Sequence, residues 1–159
     1  MRMAIFAALS SLAAAQSISV AQVDLNLPEQ SLAEAWGAAA QHPSSVEARV
    51  NVASALLASN RLQQAEWAAR ESVEMNPANA RAQFLLGWIL AREHHYTAEA
   101  LECLQRGAKS IPEAHLGAAD VFAHQGSNAQ ARAEIAAYLA SGEAAHRRIA
   151  EAWLKLLAN

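Results

Sequence analysis

The chain has 159 residues, of which 53% are hydrophobic and only 6% aromatic, and its formal net charge is −3. This length suits one domain with its own core and is short for two domains. A weakly acidic chain offers no broad basic surface to a phosphate backbone, so we expect no nucleic-acid partner.

The first residues have the pattern of a secretory signal peptide. Arg2 precedes an apolar run from Ala4 to Ala15, and small residues follow. Cleavage fits after Ala15 or after Ala21, and the second site is preferred, which makes residues 1–21 the predicted signal peptide. The apolar run, about a dozen residues, is shorter than the roughly 20 that span a bilayer, which argues against an uncleaved anchor. We expect an exported bacterial protein, periplasmic or secreted, without a stable membrane span after signal removal.

The remaining chain reads as helical. Residues 22–29 are predicted to form a short extended leader, and a sequence pattern typical of helices begins near residue 30. Alanine-rich apolar runs then alternate with short polar breaks, and no strand-like alternation competes with them. The pattern predicts an all-α chain of about eight helices. The breaks are "HPSS" at 42–45, "SNR" at 59–61, "MNPAN" at 75–79, "REHH" at 92–95, "SIPE" at 110–113, "HQGSN" at 124–128 and "SGE" at 141–143.

The breaks reveal an internal repeat of two helices. Residues 46–79 align with residues 80–111, and residues 112–142 form a less faithful third copy. The period is about 34 residues. The second copy carries one extra residue just after Tyr96, so we expect an irregular turn there. Small and aliphatic residues recur at matching places in the copies, such as Leu56, Ala65 and Pro77, then Leu86, Gly87, Ala100 and Pro112, then Ala119, Gly126 and Ala131.

These residues resemble the tetratricopeptide repeat family. The resemblance implies a right-handed superhelix of antiparallel helix pairs over residues 30–159, with a closing helix at residues 143–158. Gly87 then lies where the first helix of a unit approaches its neighbour closely, so we interpret it as a packing residue. The apolar run around it, Gln83 to Leu90, is too short to cross a membrane.

Catalytic and metal-binding motifs are missing from the sequence. HExxH, CxxC, GxSxG and glycine-rich phosphate loops do not occur. The adjacent His94 and His95 lie in a predicted turn and should point in different directions, so a metal carrier ranks last among our hypotheses. The paired glutamates of the helices are typical of solvated faces. We expect no enzyme, no metal and no cofactor.

The family resemblance implies a concave groove, lined by the first helix of each unit, that binds a peptide or helix of another protein. Arg81, Phe84, Trp88 and Arg92 follow one another along one helix face, and aromatic and arginine side chains are frequent interface hot spots. The alternative is that Phe84 and Trp88 fill the core. The predicted partner-binding residues are Arg81, Phe84, Trp88, Arg92, Asn51, Asp120 and His124.

A second hypothesis is a self-associating structural unit of an envelope assembly, with the partner a second copy of the chain. Trp36, Trp67 and Trp153 are predicted to seal contacts between helices and at the ends. Trp153 should cap the array.

Overall fold

The computed structural model describes residues 17–27 and 30–158, and all regular structure in these ranges is helical. The prediction of an all-α chain of about eight helices is therefore confirmed for the described residues, in which no strand occurs. A short 3-10 turn, Val20–Gln22, precedes the α-helices. These are α1 (Leu32–Gln41), α2 (Val46–Ala58), α3 (Leu62–Met75), α4 (Ala80–Arg92), α5 (Ala98–Gly107), α6 (Glu113–His124), α7 (Asn128–Ala140) and α8 (Arg147–Leu156).

Four of the helices begin at a side chain that caps their first turn. Ser31 and Glu34 form a reciprocal capping box at the start of α1. Ser45, Asn79 and Thr97 each accept a hydrogen bond from the backbone N–H three residues later. Such caps pair backbone donors that the helix leaves free, which explains why the polar breaks of the sequence become helix starts.

The first helix of each pair ends in the same way. Asn60, His94 and Gly126 have positive φ angles of 55°, 61° and 76°. In each case this residue and the next donate backbone N–H groups to carbonyls three and five residues earlier, which is the Schellman pattern. Residues 93–97 join α4 to α5, whereas only residues 59–61 and 125–127 join the other two pairs. The predicted irregular turn is confirmed.

Seven of the helices form two rows. Helices α2, α4 and α6 make up what we call the inner row, in which α4 contacts both α2 and α6, and each of the three also packs against the helix that follows it. Helices α1, α3, α5 and α7 form the outer row. In α4 every residue from Ala82 to Ala91 is buried, whereas α3 buries only Ala65, Ala68, Ala69 and Ser72. The inner row is therefore covered on more than one side.

Gly87 lies where α4 and α5 touch. A Cβ atom at this position would come within 2.7 Å of Leu104 Cγ and 2.9 Å of the Ala100 carbonyl oxygen. Backbone atoms cannot withdraw without separating the two helices, so only glycine fits. The prediction that Gly87 is a packing residue is confirmed.

The closing helix is shorter than predicted. It was expected over residues 143–158, but α8 begins at Arg147. Gly142 has a φ of 83°, and the Tyr138 hydroxyl accepts the His146 backbone N–H at 3.0 Å. These contacts hold residues 141–146 in turns before the helix can start.

The predicted signal peptide lies mostly outside the described residues, since the described part of the chain begins at Ser17. The leader is not helical from Val23 to Leu27, as expected, although Gln22 belongs to the 3-10 turn. Within residues 17–27 and 30–158, no helix combines the length and apolar character needed to cross a bilayer.

Candidate interaction surface

Residues Ser17–Leu27, which we call the N-terminal segment, lie against the inner row. Ile18, Val20 and Val23 are 3%, 0% and 3% exposed, whereas Ala21 and Gln22 between them face solvent. The 3-10 turn contacts both α4 and α6. We call the side of the inner row that holds the segment the inner face. It already binds a stretch of chain that has a single 3-10 turn and no α-helix.

Asp120 of α6 holds the backbone of this segment. Its Oδ2 accepts the Val20 backbone N–H at 3.0 Å, and its side chain is fully buried. His124 Nδ1 lies 2.9 Å from Oδ1 and 3.0 Å from the Asp120 carbonyl oxygen. The imidazole is aligned with the carbonyl, so Oδ1 has contact with the ring but no hydrogen bond. Burial raises the pKa of the Asp120 carboxyl to about 6, while the Val20 N–H and His124 oppose that rise.

The last helix holds the segment at a second point. Trp153 of α8 is 1% exposed, and its Nε1 donates a hydrogen bond to Gln22 Oε1 at 2.9 Å. Trp153 was predicted to cap the array, and it does lie buried on the last described helix. Its indole N–H would have no obvious partner in an apolar core, so the bond to Gln22 satisfies a donor that burial would otherwise leave unpaired.

The predicted aromatic stripe is on the inner row but is not open to solvent. Phe84 and Trp88 pack against each other with ring centroids 5.4 Å apart, and they are 5% and 1% exposed. Trp88 borders a cleft that it shares with Val23 to Leu27 of the N-terminal segment. Trp88 is enclosed, as in the alternative in which it fills the core, because α6 and the N-terminal segment both approach it.

The flanking arginines are half-buried and engaged with α2 and the turn that follows it. Arg81 approaches Glu47 Oε2 and Ser54 Oγ, each at 3.4 Å. Arg92 donates to Asn60 Oδ1 at 3.2 Å. Asn51 is half-buried on α2. The structure brings six of the seven predicted binding residues beside the N-terminal segment, namely Arg81, Phe84, Trp88, Arg92, Asp120 and His124.

His124 belongs to an aromatic cluster at the end of α6. Its ring stacks on Tyr96 with centroids 4.0 Å apart and planes 5° apart. The Tyr96 hydroxyl lies 2.8 Å from His94 Nδ1. Burial, with a smaller effect of the Asp120 charge, raises the pKa of Tyr96 to about 12. The longer connection after α4 therefore supplies Tyr96 and His94, which lie next to His124 at the edge of the inner face.

His94 and His95 point in different directions, as expected. His95 lies with Glu66 and Glu93, and one ligand atom from each falls within 4.8 Å of the others. Burial and then the neighbouring Glu66 raise the pKa of Glu93. These three residues are where the described chain could hold a cation, but Arg70 Nε already pairs with Glu66 at 2.7 Å. A cation would have to compete with that guanidinium.

Sequence reasoning missed the N-terminal segment itself. Ile18 and Val20 were assigned to the end of a signal peptide, and residues 22–29 to a leader. The available signal was two short runs of alternating aliphatic residues, at 18 and 20 and at 23, 25 and 27, which are typical of a chain with one buried side. Comparison with models of known protein families and with curated proteins found no match to this chain.

Proposed function

We propose that this protein is a noncatalytic interaction module of tetratricopeptide type that binds an extended peptide of another protein on its inner face. Three helix pairs follow one another, and in each pair the first helix ends in a Schellman motif. This regularity supports a right-handed superhelical repeat. The observation that carries the proposal is the N-terminal segment. The inner face holds it by apolar side chains and a backbone hydrogen bond, which are the contacts that a partner peptide would make.

A pull-down with matched charge variants tests this function. Arg81→Glu and Arg92→Glu place acidic groups beside the face, whereas Arg132→Glu makes the same change on an exposed position of α7. We expect an envelope protein to be retained by the wild type and by Arg132→Glu, and to be lost from the double variant Arg81→Glu/Arg92→Glu. Equal retention by all three chains would contradict a site on the inner face.

The same proposal includes export to the periplasm or beyond. The contacts of Ile18 and Val20 favour cleavage after Ala15, because cleavage after Ala21 would remove both residues and leave Asp120 without the Val20 N–H. Mass spectrometry of the exported protein should find an N-terminus at Gln16, or at Gln22 if the second site is used. An intact Met1 in that fraction would contradict export with cleavage.

A self-associating structural unit is the second candidate, and one observation favours it. Trp36 and Trp67 stack across α1 and α3 with centroids 6.4 Å apart, yet remain 38% and 52% exposed. An exposed aromatic pair of this kind is suited to an interface. Light scattering that rises with protein concentration, and falls in Trp67→Ala, would support this candidate.

A further inference from the structure

The N-terminal segment shows what kind of chain the inner face accepts. Three aliphatic residues point inward, at the first, third and sixth positions counted from Ile18. Val20, the third, is fully enclosed at 0% exposure, so a larger side chain has no room there. Ala21 faces outward, which leaves the residue type at that position free to vary, whereas Gln22 accepts the Trp153 indole N–H.

Asp120 is the polar element of this recognition. A fully buried carboxylate is unfavourable in an apolar core unless donors reach it. Here Oδ2 takes a backbone N–H, and Oδ1 still lacks a hydrogen bond. Because the donor belongs to the main chain, Asp120 recognises any peptide that brings an N–H to this point. It therefore fixes the register of the peptide and does not select one side chain.

The segment fills the face incompletely. A half-open cleft of about 260 Å³ remains between Leu25 and Leu27 of the segment and Phe84, Leu85 and Ile111. Another, of about 180 Å³, lies beside Ile18 and is lined by residues that include His124, Leu156 and Leu157. A peptide with bulkier apolar residues at these places would bury more surface than the chain's own segment does.

We propose that the inner face recognises a peptide with aliphatic residues at its first, third and sixth positions, a 3-10 turn that begins at the third, and the third backbone N–H on Asp120. Residues 17–27 are the chain's own displaceable copy of this ligand. The proposal rests on the proposed function and names its partner class, an apolar peptide that contains such a turn. The tethered copy competes with that partner at a high effective concentration, so binding in trans is weakened until the copy is displaced.

The test uses the full chain and a labelled synthetic peptide with the sequence of residues 16–27. Val20→Asp should release the chain's own segment, because it places a charge beside the buried Asp120 carboxyl. Ala21→Asp adds the same charge one residue later on the exposed side and is the matched control. By fluorescence anisotropy, the Val20→Asp chain should bind the peptide about 10-fold or more tightly than the wild type or Ala21→Asp. Adding Asp120→Ala to Val20→Asp should abolish that gain.

Peptide variants sharpen the assignment. Exchange of the residue equivalent to Val20 for phenylalanine should weaken binding, whereas the same exchange at the residue equivalent to Leu27 should strengthen it by filling the cleft beside Phe84 and Ile111. Circular dichroism establishes that each chain is folded, and Ile18→Asp serves as a second releasing variant.

Equal peptide binding by the wild type and a folded Val20→Asp chain would overturn the proposal. So would unfolding of both Val20→Asp and Ile18→Asp, because the segment would then be part of the fold and not a ligand. If the peptide fails to bind but the pull-down partner is still lost from the Arg81→Glu/Arg92→Glu chain, this inference fails and the proposed function stands. If the peptide binds as expected and no partner depends on Arg81 and Arg92, the displaceable segment stands and the proposed binding of a partner protein fails.

Discussion

The inner and outer rows are built from similar alanine-rich helices but are buried differently. Helix α3 of the outer row buries residues at 65, 68, 69 and 72, the spacing of a helix with one packed side. Helix α4 of the inner row buries ten consecutive residues. A helix that is buried all round needs cover on every side, and the N-terminal segment adds to the cover that α2, α6 and the outer row give α4. The N-terminal segment is therefore part of the environment of the inner row and not a separate leader.

Both rows contain tryptophan, and the largest loss of stability is expected when the tryptophan of the inner row is replaced. Trp88→Ala should lower the free energy of unfolding by about 3 to 5 kcal/mol, because it leaves a cavity among Phe84, α6 and the N-terminal segment. Chemical denaturation monitored by circular dichroism measures this change. A loss below about 1 kcal/mol would show that Trp88 is not enclosed and would remove the contrast between the rows.

The buried carboxyl of Asp120 makes the inner row sensitive to pH. Its pKa is raised from 3.8 to about 6 in the folded chain, so the neutral form stabilises the fold. This contribution is complete below about pH 4 and is lost as the pH rises through about 6, a change of roughly 3 kcal/mol. His124 and His94 face the same carboxyl and oppose the rise in its pKa.

Comparing the wild type with Asp120→Asn isolates that group, because the other titrating residues are common to both chains. The stability of the wild type relative to Asp120→Asn should fall between pH 4 and pH 6 in parallel denaturation curves. A constant difference across this range would mean that Asp120 has an ordinary pKa.

Glycines in the two rows offer a matched pair. Gly87→Ala should lower stability by about 1 to 3 kcal/mol, because the new Cβ would clash with the backbone of α5. Beyond the local backbone of α1, nothing lies within 4 Å of a Cβ added at Gly37, so Gly37→Ala should raise stability by up to about 1 kcal/mol through helix propensity alone. Thermal melts compare the two variants directly. Stabilisation by Gly87→Ala would contradict the close approach of α4 and α5.

Much of this architecture could be predicted from local sequence. Helix breaks follow from capping residues and prolines that act within a few positions, and Gly87 follows from its place in the repeat. The helical period also placed Arg81, Phe84, Trp88 and Arg92 on one face.

What could not be predicted depends on residues far apart in the chain. Whether Trp88 is exposed depends on residues 23–27, which the helical pattern of α4 does not report. The bond between Val20 and Asp120 joins positions 100 residues apart. Similarly, the Glu66, Glu93 and His95 cluster arises only when α3 packs against the end of α4.

The smallest expected effect belongs to the outer row. Trp67 is 52% exposed and contacts Trp36 by stacking, so Trp67→Ala should change the stability of the monomer by less than about 1 kcal/mol. Denaturation at low protein concentration measures it beside Trp88→Ala. An effect as large as that of Trp88→Ala would show that the outer pair is a core contact.

The most direct test of the seated N-terminal segment is amide hydrogen exchange at Val20 in the full chain. The Val20 N–H is buried on Asp120, whereas Asp24 is exposed a few residues later. The Val20 amide should exchange much more slowly than the Asp24 amide. Asp120→Ala should increase the exchange rate of the Val20 amide while the amide of Leu86 in α4 stays protected. A Val20 amide that exchanges as fast as that of Asp24 in the wild type would contradict the seating of the N-terminal segment.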